Sequence, residues 1–291
     1  MSRDNNTRRP YLGVFLDLCK IRIALFSMLS AVSGFMLAAD RLDWNIITMM
    51  SGVFLLSCGA CGLNQYQERD GDKLMERTKT RPIPSGRLRP LHALCVSLAL
   101  IASGAIVLLI GNNLIASGLG VFAIFWYNGV YTTLKKKSAF AAIPGSLVGA
   151  IPPAIGWIYG GGMPSDPRLA ALCFFFFMWQ VPHSWLIQVT HGEDYERAGL
   201  PSLLRTFNRD QALRIIFIWI LSTAIICLLI PMYGMVASHV VMAALIFAAL
   251  WVVLKATGLL REKTNSAFAF SNSNKYILIV MLLLFCDRLF I

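Results

Sequence analysis

The stretch Asn64-Gln65-Tyr66-Gln67-Glu68-Arg69-Asp70-Gly71-Asp72 closes an apolar run and leads directly to Arg77, Lys79 and Arg81. Three acids and the Asn64 carboxamide thus fall within nine residues. On a continuous helix Asn64, Glu68 and Asp72 stand at i, i+4 and i+8, turning only about 40° per step round the axis. Their oxygens form one stripe. Carboxylates packed in this way repel, so a cation belongs among them, and hard oxygen donors favour Mg²⁺ over softer metals. Asp70 points off the stripe on a straight helix, but unwinding at Gly71 would let Asp70 and Asp72 both reach a metal. Arg77 and Arg81, four apart, would present two guanidiniums to phosphate oxygens. The chemistry implied is a metal–diphosphate site, with Asn64, Glu68, Asp70 and Asp72 as catalytic candidates.

A second charged segment, His191-Gly192-Glu193-Asp194-Tyr195-Glu196-Arg197, offers Asp194 as a further metal or diphosphate ligand. Its loop follows the sixth apolar run, as the first acidic loop follows the second. Two such loops on one face could close over a shared cavity. Lys20 and Arg22 open the first run, Lys135-Lys136-Lys137 ends the fourth, and His183 lies inside the sixth after Pro182. Arg22, Arg77, Arg81, Lys135 and His183 are therefore the substrate-binding candidates.

These residues need elements to hold them at a membrane boundary, where ionisable groups are costly and mark function. The chain has 291 residues, 57% of them hydrophobic, with a mean hydropathy of +0.64. Apolar runs long enough to cross a bilayer fall near 20–39, 45–66, 91–110, 114–133, 139–160, 169–190, 212–232, 235–257 and 275–291. Helices are the form such runs take in lipid, since open sheets leave backbone groups unpaired there. The expected fold is all-α: one domain over residues 1–291, nine transmembrane helices around a central cavity open to lipid, with a polar segment at 1–14. Pro152-Pro153 should kink the fifth helix.

Charge sets the orientation. All but Arg41, Arg168 and Arg288 of the 26 basic residues fall on the side of the N-terminus and the two acidic loops. That side should be cytoplasmic and the C-terminus should lie outside. The net charge of +11 is thus a topology signal. Nucleic acid is excluded as a partner because the basic loops are short and interrupted by spans, which leaves the lipid bilayer as the surrounding partner. A transporter would carry charge through both halves of its spans, whereas the outer half here is nearly uncharged. Cys58-Gly-Ala-Cys61 has a CxxC spacing, but its small-residue setting suits close helix packing.

Taken together, Asn64-x3-Glu68-x-Asp70-x-Asp72 followed by Met75-Glu76-Arg77-Thr78-x2-Arg81-Pro82 resembles the UbiA superfamily of intramembrane prenyltransferases, and within it the protoheme IX farnesyltransferases, or haem O synthases. Lys20-Ile-Arg22, Tyr131-Thr-x2-Lys135, Pro144-Gly145, Pro152-Pro153-x2-Gly156-Trp157, Trp179-Gln180-x-Pro182-His183 and Asp194-Tyr195-x2-Ala198-Gly199 are similar to the same group, in order. The resemblance implies Mg²⁺ held by Asn64, Glu68, Asp72 and Asp194. It further implies farnesyl diphosphate as donor, haem B as acceptor and haem O as product, for haem-copper oxidase biogenesis in a bacterial inner membrane. A haem A synthase or an oxidase-assembly protein is the partner it suggests. Two positions depart from the group's pattern. The second motif keeps only Asp194 in His191-x2-Asp194-x3-Ala198, and Ser184 follows His183 where an aromatic is usual. Prenylation of an aromatic quinone precursor is the alternative within the superfamily, and the Trp179-Gln180-x-Pro182-His183 segment argues against it.

Overall fold

The computed structural model describes residues 11–39, 43–111, 113–261 and 265–289. Arg3, Arg8, Arg9, Arg41, Asn112 and Lys263 lie outside them. Among the described residues nine helices are long and apolar enough to cross a membrane: Ile21–Ala38, Asn45–Asp72, Pro90–Ile110, Leu114–Leu134, Ala139–Tyr159, Pro167–Thr190, Arg209–Met232, His239–Leu260 and Ser266–Arg288. They are called here the first to ninth spans. No strand occurs among the described residues.

A short helix, Tyr11–Cys19, precedes the first span and takes in the last four residues of the expected polar segment. Lys20 joins the two in the left-handed region, with φ of 46°. Gln65 on the second span fixes this turn, its Nε2 donating to the carbonyls of Asp17 at 2.9 Å and Leu18 at 2.7 Å.

Small residues let the spans approach closely. A Cβ added to Gly34 would stand 2.0 Å from the Pro153 carbonyl oxygen, and one on Gly156 only 1.8 Å from that of Ala31. The first and fifth spans therefore pack backbone to backbone, the geometry that membrane helices reach through small residues. The fifth span is interrupted at Ser146 and then runs unbroken as a helix from Leu147 to Tyr159, through both Pro152 and Pro153. The break in the span thus falls at Ser146, before the proline pair. Cys58 and Cys61 are buried free thiols in the second span.

The fourth span changes pitch. Residues Phe125–Tyr131 form a π-helical stretch, a form that often accompanies functional sites. It turns Asn128 inward, where Nδ2 donates to the Ala60 carbonyl at 3.1 Å and to Gln67 Oε1 at 3.2 Å. The ninth span begins at Ser266, nine residues before the hydropathy pattern placed it. Its polar run is folded into the helix, with Asn272 and Ser273 buried.

Candidate active site

The second span is one helix to Asp72, with no unwinding at Gly71. Asn64, Glu68 and Asp72 consequently do share a stripe, and each has one basic partner. The Lys20 ammonium donates to Asn64 Oδ1 at 3.3 Å. Lys135 forms an ion pair with Glu68. The Arg81 guanidinium donates to Asp72 Oδ2 at 2.6 Å. The three partners come from three different segments, so the stripe is where the turn at Lys20, the loop after Asp72 and the end of the fourth span meet. Asn64 Nδ2 also reaches Thr132 Oγ1 at 3.4 Å, on the turn that carries Lys135.

Asp70 is not part of this arrangement. Because the helix stays wound, its side chain is 77% exposed and pairs with Lys73 at 3.5 Å and Arg69 at 3.9 Å. Arg22 is likewise exposed, and Lys20 takes the place expected for it. The left-handed turn at Lys20 is what sends that side chain toward the stripe.

Asp194 joins the two charged loops, as their placement on one face suggested. It does so through backbone: Oδ1 accepts from the Glu76 N–H at 3.0 Å and Oδ2 from the Arg77 N–H at 3.1 Å. Burial works to raise this carboxyl, but those two donors, with Arg197 and His191 nearby, outweigh it and hold its pKa below the ordinary range. Asp194 therefore fixes the segment carrying Arg77 and Arg81. The Arg77 guanidinium sits within the electrostatic reach of Arg81, Tyr195, Asp72 and Asp194. Burial and the Arg81 charge lower the Lys20 pKa to about 8.

Among the described residues no three Asp, Glu, His or Cys side chains converge closely enough to hold a metal ion. The expected four-ligand set is not assembled in this conformation, because both Asp194 oxygens are taken by backbone donors. The remaining donors still suit Mg²⁺ by type: one carboxamide and two carboxylates, all hard oxygens, each engaged by a long basic side chain. His183 stands apart from the stripe. It is half-buried in the sixth span, with Nδ1 at 2.8 Å from Asn274 Oδ1. Sequence reasoning missed Asn274 and Thr132; the polar Ser271–Lys275 run within an apolar stretch was the available signal for Asn274.

The sequence pattern of the UbiA prenyltransferase family matches residues 27–281, which takes in both charged loops and seven whole spans besides most of the first and ninth. The chain belongs to the UbiA prenyltransferase family. This UbiA prenyltransferase is 40% identical over 222 residues to a protein from Geobacter sulfurreducens named protoheme IX farnesyltransferase, covering 76% of the chain and 82% of that protein. A protein of the same name from Oleidesulfovibrio alaskensis is 36% identical over 274 residues, covering 94% of the chain and 95% of that protein. In fold it is similar to a UbiA homologue from Archaeoglobus fulgidus solved with GPP and Mg²⁺, with a TM-score of 0.72 at 15% identity, covering 93% of this chain and 96% of that one. It is accordingly a multi-pass membrane prenyltransferase.

Proposed function

We propose that this enzyme transfers the farnesyl group of farnesyl diphosphate to a vinyl group of haem B, giving haem O for haem-copper oxidases. What carries the reading is the near end-to-end match to a relative named protoheme IX farnesyltransferase, 95% of which is covered. The site geometry suits the donor half of that reaction. Asn64, Glu68 and Asp72 would hold Mg²⁺, which when bound supplies positive charge against the leaving diphosphate. Lys20, Lys135 and Arg81, released from the stripe, would then turn to the diphosphate oxygens beside Arg77. Asp194 keeps the loop bearing both arginines in place.

The reaction balances without redox change. The allylic C–O bond breaks, and its electron pair leaves with the diphosphate, where the four cations meet the developing charge. The vinyl π pair forms the new C–C bond. Water adds to the carbocation left on the vinyl-derived carbon, and the proton it loses goes to solvent. We assign the charged face to the cytoplasm, because the basic residues concentrate there.

Pigment extracted from membranes expressing this chain should contain haem O by mass. Absence of haem O, with a prenylated aromatic acid formed instead, would replace this reading with the quinone-precursor one. Orientation has its own check. With the exposed Cys95 replaced, cysteines at the exposed positions Thr80 and Thr206 should label only from the cytoplasmic side, and one at Ser165 only from the other. Labelling of Thr80 and Ser165 from one side would overturn the topology.

A further inference from the structure

The polar run Ser271-Asn272-Ser273-Asn274-Lys275 lies inside the ninth span and plays no part in the diphosphate site. Asn274 reaches instead into an aromatic cluster. The His183 ring sits 4.8 Å from the ring centre of Trp179 and 4.8 Å from that of Phe270, tilted 44° and 41°. Phe26 stacks on Trp179 at 5.1 Å. The first, sixth and ninth spans therefore all contribute. Trp179 Nε1 donates to the Ser273 carbonyl at 3.1 Å, which fixes the ninth span against the sixth one turn from His183. Within this frame His183 Nδ1 is 2.8 Å from Asn274 Oδ1.

With the Asn274 amide turned so that Oδ1 faces the ring, the carboxamide oxygen accepts and the imidazole donates from Nδ1. A neutral imidazole with its proton on Nδ1 carries its lone pair on Nε2. Nε2 has no hydrogen-bond partner among the described residues. A ring that donated from Nε2 to a propionate would need a proton on that nitrogen, which the Asn274 contact opposes in the neutral ring. A ring with a free lone pair on Nε2 is instead suited to a metal, and metal-bound histidines are characteristically oriented by an acceptor on their other nitrogen.

We propose that Asn274 is a positioning residue that holds His183 in the Nδ1–H tautomer, making Nε2 a ligand for the iron of a haem acceptor rather than a donor to its propionates. This rests on the haem reading above. It places the acceptor's iron at the sixth span, held by a side chain whose orientation the ninth span sets.

The test uses the full chain in lipid nanodiscs, titrated with ferric haem B and, separately, with metal-free protoporphyrin IX. The second probe has the same vinyls and propionates but no iron. Wild type should bind haem B with the absorption and EPR signature of histidine ligation. Asn274→Leu and His183→Ala should each lose that signature and weaken haem B binding roughly tenfold or more, with protoporphyrin IX binding unchanged. Asn274→Asp presents an oxygen in either orientation, so it should keep ligation and, through a stronger acceptor, shift the EPR g values. Should Asn274→Leu not fold, the Asn274→Asp spectrum decides alone, and a spectrum identical to wild type overturns the proposal. An Asn274→Leu protein that retains the histidine signature also overturns it, as does one that loses both probes equally. Wild type that binds haem B without histidine ligation overturns the ligation and leaves the haem reading standing. Wild type that binds neither probe, yet binds a farnesyl diphosphate analogue, overturns the haem reading and this inference with it.

Discussion

The two faces of the bundle use buried carboxylates differently. On the face opposite the charged loops, Asp287 accepts from the backbone N–H groups of Ala237 at 3.1 Å and Ser238 at 2.9 Å. It ties the ninth span to the start of the eighth. On the charged face Asp194 repeats the device with Glu76 and Arg77. There the likeness stops, because the charged face also holds the Asn64–Lys20, Glu68–Lys135 and Asp72–Arg81 contacts. An acid whose two oxygens are taken by backbone N–H groups cannot let go without loosening the fold. An acid or amide held by a long basic side chain can exchange that partner for a metal, while the base turns to an anion. On the proposed function, the difference separates carboxylates that hold the structure from carboxylates that would do chemistry.

Substitutions sharpen this division in decreasing order of effect. Asp72→Ala should lower haem O formation by at least ~10²-fold, the scale of losing one stabiliser of developing charge, while membrane insertion stays intact. Normal turnover by a well-expressed Asp72→Ala protein would break the comparison at its strongest point.

Lys20 gives a pH signature of about tenfold, the size of one charge-assisted contact. Burial and the Arg81 charge set its pKa at about 8, against 10.5 ordinarily. Affinity for a non-hydrolysable farnesyl diphosphate analogue should therefore fall as pH rises through about 8, as the ammonium is lost. Stability should move the other way. The unfolded chain holds this proton more tightly, so stability rises with pH between about 8 and 10.5. Lys20→Met should remove the change centred near 8 from both calorimetric titrations and thermal melts; an undiminished change near 8 in the variant would remove Lys20 from the site.

Asp194→Ala and Asp287→Ala should each destabilise the protein by about 1.5–3 kcal/mol, the scale of losing charge-assisted hydrogen bonds. Turnover should fall only for Asp194→Ala, because the loop that Asp194 anchors carries Arg77 and Arg81. The depressed Asp194 pKa means that its contribution is present above the ordinary carboxyl range near 3.8 and is lost as pH falls through the lower folded value. Equal losses of turnover in the two variants would show that the faces do not differ as described. Smallest of all, Asp70→Asn should change turnover by less than about twofold, since exposed ion pairs contribute roughly 0–1 kcal/mol. A large loss there would return Asp70 to the site.

The stripe was legible in the sequence because helical periodicity alone puts Asn64, Glu68 and Asp72 on one side, and all nine spans followed from apolar run length, the ninth with its start placed nine residues late. The partners were not legible. Lys135 meets Glu68 only because the fourth span, with its π-helical stretch, docks on the second. Lys20 rather than Arg22 reaches the stripe because of a left-handed turn that its own residue type does not announce. Asp70 was overestimated because Gly71 permits unwinding without requiring it. The ninth span was shortened because the polar residues Asn272 and Asn274 lower the local hydropathy, although Asn272 and Ser273 face the interior. Asp194 was read as a ligand since its type fits one; that backbone donors occupy both oxygens depends on how two distant loops meet.

Partner exchange on the charged face can be measured as metal dependence of diphosphate binding. Wild type should bind a non-hydrolysable farnesyl diphosphate analogue roughly tenfold or more tightly with Mg²⁺ than with EDTA, the scale of at least one charge-assisted contact. A Glu68→Gln, Asp72→Asn double variant should bind it with the same affinity in both conditions. Equal affinity with Mg²⁺ and with EDTA in the wild-type protein would contradict the account.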